Sequence, residues 1–112
     1  MAVSSDANAL KFAKLNGSNY RTWAFNVRLY LESLDLFEHV DGTAEPPEAD
    51  ASAELRRKFA SREKKAWTYV CLAIEPEQQI HVRETKTAKE AWDALRSHFA
   101  HESLLETVRL RQ

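Results

Sequence analysis

Residues 19–34 read NYRTWAFNVRLYLESL. Tyr20, Trp23, Ala24, Val27, Tyr30, Leu31 and Leu34 recur at intervals of three and four, the period at which side chains share one face of an α-helix. Arg21, Asn26, Arg28 and Glu32 take the other side. The spacing predicts an amphipathic helix from about Asn19 to about Leu34. Immediately upstream, Asn16-Gly17-Ser18-Asn19 is a turn cluster that offers an N-cap. Downstream, Leu36, Phe37 and Val40 form a short apolar segment expected to fold back onto the core, with Asp41-Gly42 as its stop.

The same reading carries along the chain. Pro46 and Pro47 sit in an acidic loop over 42–51. A second helix is expected from about Ala51 to Ile74, with Leu55, Phe59, Ala66, Trp67, Val70, Cys71 and Ile74 inward and a highly charged first half that projects further into solvent. Pro76 ends it or opens the next turn. A short helix follows near Glu77 to Arg83, with Ile80 and Val82 as its apolar contacts. Thr87-Ala88-Lys89-Glu90 is a capping box and opens a helix carrying Ala91, Trp92, Leu95 and Phe99. Ser103-Leu104-Leu105-Glu106 is a second such box and predicts a last helix that meets no stop signal before Gln112, as expected of a longer protein or of an end completed by a partner chain. Residues 1–8 are small and polar and read as a flexible terminus, and 9–112 as one domain, with Ala9 to Leu15 a short extended segment laid across the helices. Two glycines and three prolines in 112 residues are too few turn formers for an all-β fold. The fold class is therefore all-α, a bundle of about five helices.

Composition narrows the function. With 16 basic and 17 acidic residues, net charge -1, the chain has no overall excess of cations to neutralise a phosphate backbone. One cysteine, Cys71, cannot form an internal disulfide and suits a reducing, cytoplasmic setting. No run approaches the ~18 apolar residues of a membrane span. Chemistry-bearing motifs are wanting: GxSxG, GxGxxG, the P-loop, HExxH and CxxC do not occur. Cys71 falls on an apolar helix face and reads as structural. His39, His81, His98 and His101 read as surface residues and helix-end cations; with a single cysteine they give no four-ligand metal set. No catalytic site, cofactor, metal or small-molecule substrate is expected. Arg56, Arg57, Lys58, Arg62, Lys64 and Lys65 read first as a solvated face supported by Glu54 and Glu63 through i,i+4 pairing, and in the alternative as an anion- or RNA-contacting face. Trp23, Trp67 and Trp92 each lie on the apolar stripe of a different helix. With Tyr20, Tyr30, Phe59 and Phe99 they are expected to form a shared core, in which three helices meet at an aromatic centre.

Two stretches carry a family resemblance. Leu15-Asn16-Gly17-Ser18-Asn19-Tyr20-Arg21-Thr22-Trp23 and Thr87-Ala88-Lys89-Glu90-Ala91-Trp92-Asp93-Ala94-Leu95, with Phe99 after it, resemble the F/L-x-G-x-N-Y-x-x-W and T-A-x-E-x-W-x-x-L motifs of copia-type retrotransposon Gag proteins. Val40-Asp41-Gly42-Thr43-Ala44-Glu45-Pro46 matches the family's V-x-G-x-x-x-P loop between them. The resemblance implies a fold like a capsid N-terminal domain that builds virus-like particles through homotypic contacts. The family's CCHC zinc knuckle and its protease, integrase and reverse transcriptase motifs do not occur in this sequence; in the family they lie further downstream, and RNA packaging would rest on those regions. The expected partner is a second copy of the chain, with Leu104, Leu105, Val108 and Leu110 of the terminal helix as the contact surface, or in the alternative as part of an intramolecular core. The competing function is a domesticated adaptor that binds a host protein or peptide in a helical groove.

Overall fold

The computed structural model describes the backbone of residues 12–111 and the side chains of residues 12–100; the proposed flexible stretch 1–8 lies outside them. The stripe at 19–34 forms α1, Tyr20–Ser33, and buries Trp23, Val27 and Leu31. Asn19 precedes it without capping it. Its side chain faces upstream instead: Oδ1 accepts from the Asn16 amide at 3.0 Å and Nδ2 donates to the Lys14 carbonyl at 3.0 Å. That cluster holds Leu15 against the far end of the bundle. The Leu15 amide donates to the Ala73 carbonyl at 3.0 Å and its carbonyl accepts from Glu75 at 2.9 Å, a single parallel bridge to Ile74. Leu15 is fully buried, so the end of the extended segment is part of the core.

α1 stops without glycine or proline. Asp35 takes a left-handed conformation, φ 58°. Its amide donates to Glu32 at 3.1 Å and the Leu36 amide donates to Leu31 at 2.9 Å, the two bonds of a Schellman motif. Leu31 and Leu36, both buried, complete it with the apolar contact that motif favours. An Arg62 guanidinium from the next long helix donates to the Asp35 carbonyl. The reversed chain forms α2, Phe37–Asp41, which buries Val40 and His39 and ends at Gly42 with φ 84°.

Ser52 caps α3, Ala53–Leu72, by accepting from the Leu55 amide at 3.1 Å. A 3-10 helix, Pro76–His81, follows, and α4 runs from Ala88 to Arg111. The Thr87 box is present with one change. Thr87 Oγ1 accepts from the Glu90 amide at 3.1 Å, but the Glu90 carboxylate reaches past Thr87 to the Lys86 amide at 2.8 Å.

The second box opens no helix. Ser103 lies inside α4, which continues unbroken to Arg111. A capping box needs a chain that arrives in a non-helical conformation, and Ala100-His101-Glu102 contains nothing to break the preceding helix. Two further inward assignments fail. Leu55 is 54% exposed and Ile80 66% exposed. Leu55 is on the same side of α3 as Ala66 and Val70, but the core on that side begins only at Ala66. Periodicity marks a face, not how far its partners extend along it. In the 3-10 helix, Val82 just past the end is buried in place of Ile80.

The core is one cluster. Leu15, Trp23, Val27, Leu31, Leu36 and Val40 from the first half meet Ala66, Val70, Ile74, Ala91, Leu95 and Phe99 from the second. α4 packs on α1, α2 and α3, and small residues Ala88 and Ala91, both fully buried, let its first turns approach closely.

Candidate functional site: the interaction surfaces of the bundle

The aromatic residues divide into two groups. Trp23 and Trp92 stack at 5.7 Å, Phe37 meets Trp92 edge-on at 5.7 Å, and Tyr20 stacks on Phe99 at 5.5 Å. Trp23 and Phe99 are fully buried; Tyr20, Tyr30, Trp67 and Trp92 are half-buried and pack against the core. Tyr30 meets Tyr69 edge-on at 5.5 Å. The expected three-tryptophan centre does not form. Trp67 packs at the edge of the core without a ring contact to Trp23 or Trp92, its indole N–H donating to Thr85 Oγ1 at 3.0 Å while that hydroxyl donates to the Val82 carbonyl at 2.6 Å. Phe59 also sits outside the central cluster, over the His39 ring at 4.9 Å. Three stripes on three helices need not converge: each helix buries its own tryptophan at a height set by the neighbour it packs on.

Sequence reasoning missed Glu63. It counts as one charge among many along α3, yet both its oxygens are engaged. Oε1 lies 3.0 Å from His39 Nδ1 and Oε2 accepts the Ala88 amide at 2.6 Å. One carboxylate thus ties α2, α3 and the first residue of α4 together, and satisfies a helix N-terminal amide that the backbone alone leaves without a partner. His39, read from sequence as a surface residue, is buried because this carboxylate receives its ring nitrogen. A covering of three helices was not visible in one.

The basic residues of α3 do not form a single face. Arg57 and Lys64 share one line of the helix and Lys58 and Lys65 another, while Arg62 reaches across the surface to the Asp35 carbonyl. Arg56 donates to the Ala49 carbonyl at 3.1 Å and the Lys65 ammonium lies 6.0 Å from the Tyr69 ring centre. All six are exposed. The expected i,i+4 support is not seen: among the described residues, no ion pair joins two residues of α3, and the i,i+4 pairs are Arg28–Glu32 and Lys89–Asp93.

Beside Trp67 the surface opens into a groove of about 420 Å³ between α3 and the segment before α4. Ala60, Glu63, Lys64 and Trp67 form one wall, Thr85 and Lys86 the other. Because the indole N–H is taken by Thr85 and the Glu63 oxygens by His39 and Ala88, what the groove offers is the Trp67 side chain and the two lysines. Phe25, 61% exposed, and Leu29, 49% exposed, leave a second apolar spot on the outer side of α1.

Two titratable groups outside the groove have settled behaviour. The rings of His81 and His98 lie 3.8 Å apart. Burial, and then the nearby His98, push the His81 pKa below its ordinary 6.5. The unfolded chain therefore takes up the proton more readily, so stability is full above pH 6.5 and falls as the pH drops from there through the lower folded value. Urea unfolding of wild type should weaken over this window more than that of His81→Gln; equal slopes would remove the pair as its source. Burial alone pushes the half-buried Cys71 thiol up to about 11 from 9.0. Its thiolate is then roughly a hundredfold scarcer than in the unfolded chain, and alkylation by iodoacetamide at pH 8 should slow on about that scale on folding. Equal rates in native and urea-unfolded protein would contradict this. Among the described residues no group of three or more His, Cys, Asp or Glu side chains is placed to hold a metal ion, and no helix is long and apolar enough to cross a membrane.

These features define an all-α module in which His39 and Glu63 are engaged in tying its own helices together. The family model for the gag-polypeptide of LTR copia-type matches residues 27–112, from within α1 through the whole of α4. The chain belongs to that family, whose members are structural, non-enzymatic polyprotein components. No curated protein and no solved structure matches it.

Proposed function

We propose that the chain is a capsid-like segment of Gag that assembles with copies of itself, by complementarity of surfaces and without chemistry, into virus-like particles in the cytoplasm. The observation that carries this reading is the family match across the helical core. The continuous α4 supports a contact through its C-terminal half. The side chains of Leu104, Leu105, Val108 and Leu110 lie outside the described residues.

Light scattering behind size exclusion tests the reading, over a wide concentration range, on this chain and on one extended by a further domain. The expected result is a dimer or larger species that grows with concentration. A strict monomer in both would reject assembly and turn the search to a host partner. Leu104→Glu with Leu105→Glu should yield a folded monomer; a molten or insoluble product would place those residues in the core of one chain.

A further inference from the structure

The Trp67 groove carries two lysines whose charges are not used within the chain. Lys64 and Lys86 line it, and among the described residues neither forms an ion pair. Two acids adjoin them and both are committed, Glu63 to His39 and Ala88, and Glu90 to the Lys86 backbone amide. Elsewhere on the chain the complement exists. The loop before α3 reads Glu45-Pro46-Pro47-Glu48-Ala49-Asp50; Glu45, Pro46, Glu48 and Asp50 are exposed, and no ion pair among the described residues uses its three acids. Pro46 and Pro47 each fix φ near −65°, and a following proline biases Glu45 and Pro46 toward extended backbone. Residues 45–47 are thus set up for polyproline II at little entropic cost, before a turn in which the Ala51 amide donates to the Glu48 carbonyl at 2.9 Å, and extended proline segments dock on aromatic-lined grooves. In that conformation Glu45 and Glu48 stand about 9 Å apart, on either side of Pro46, whose exposed ring is able to lie on an indole. The other acidic surface, a cleft of about 200 Å³ lined by Glu32, Asp35, Phe37, Glu38 and Asp41, is a poorer complement: Arg28 pairs with Glu32 and lies over Phe37, and the Arg62 guanidinium reaches the Asp35 backbone carbonyl.

We propose that the groove formed by Lys64, Trp67 and Lys86 receives the Glu45–Asp50 loop of a second copy of the chain. The contact is head-to-tail, since the two surfaces differ, and repeats into a ring or an open array according to the rotation between copies. It rests on the self-assembly reading and names one interface for it.

Charge exchange tests it. Lys64→Glu with Lys86→Glu makes both surfaces acidic, and Glu45→Lys with Glu48→Lys makes both basic. Each protein alone should associate at least ~10-fold more weakly than wild type at low salt, because like charges then face each other. An equimolar mixture should recover association, each loop meeting an oppositely charged groove. All the changed side chains are exposed, and circular dichroism verifies the helical fold. Wild-type association untouched by either pair, or a mixture that fails to recover, overturns the docking and leaves self-assembly standing. A wild type that stays monomeric overturns both. The loop can also be added in trans as a peptide of residues 43–51. It should shift the Trp67 indole N–H resonance of the wild-type chain; a shift with single-stranded RNA and none with the peptide would make the groove a nucleic-acid surface and overturn the proposal.

Discussion

Replacing Trp23 with alanine is expected to lower the unfolding free energy by about 3–5 kcal/mol, measured by urea denaturation. The ring is fully buried and stacks on Trp92, so truncation leaves a cavity between α1 and α4 as well as losing apolar burial. Its indole N–H donates to the Ala73 carbonyl at 2.8 Å, and the same carbonyl accepts from the Leu15 amide at 3.0 Å. That arrangement makes a second substitution informative. Trp23→Phe keeps much of the packing and removes the donor, but Ala73 retains its bond from Leu15. Its hydrogen-bond cost should therefore stay near ~1 kcal/mol. Small domains have only about 5–15 kcal/mol in total, so the alanine variant would be near the limit of folding. Trp67→Ala, at a half-buried site on the groove wall, should cost clearly less. Equal costs for Trp23→Ala and Trp67→Ala would contradict the division of the aromatics into a centre and a flank.

Glu63→Ala is expected to cost about 2–3 kcal/mol although it removes one surface-helix charge, because it leaves two buried groups without partners. The His39 side chain is 3% exposed and Ala88 is fully buried, while the carboxylate that serves them is 25% exposed on the groove, so water entering there replaces it only in part. Glu63→Gln should recover a substantial part, since an amide oxygen can accept from the Ala88 amide while the amide group still reaches His39 Nδ1. Neighbouring Lys64→Ala provides the control and should change stability by less than ~0.5 kcal/mol. A Glu63→Ala cost no larger than that control would show that the three-helix tie contributes nothing. In a double-mutant cycle with His39→Phe, a coupling of ~1 kcal/mol or more would locate the effect in the pair.

The two substitutions also differ in how visible their targets are in the sequence. Trp23 is legible because it sits in a seven-member stripe, and a stripe of that width is a local property of helical period. Glu63 is not, because its importance depends on His39 and Ala88, which lie 24 and 25 residues away. The same distinction separates the two capping boxes. Thr87 caps a helix because the chain enters it from a turn, whereas Ser103 carries the same pattern inside a helix already under way.

Local order in the chain was thus enough for the all-α class, the positions of α1, α3 and the start of α4, and the family, since each depends on residue spacing along one element. The meeting of Trp23 with Trp92 and not Trp67, the burial of His39, the exposure of Leu55 and Ile80, and the lysine-lined groove beside Trp67 were decided only by tertiary packing. Burial and charge satisfaction depend on which distant residue arrives at a site, and a helical period records which way a side chain faces but not what it will meet there.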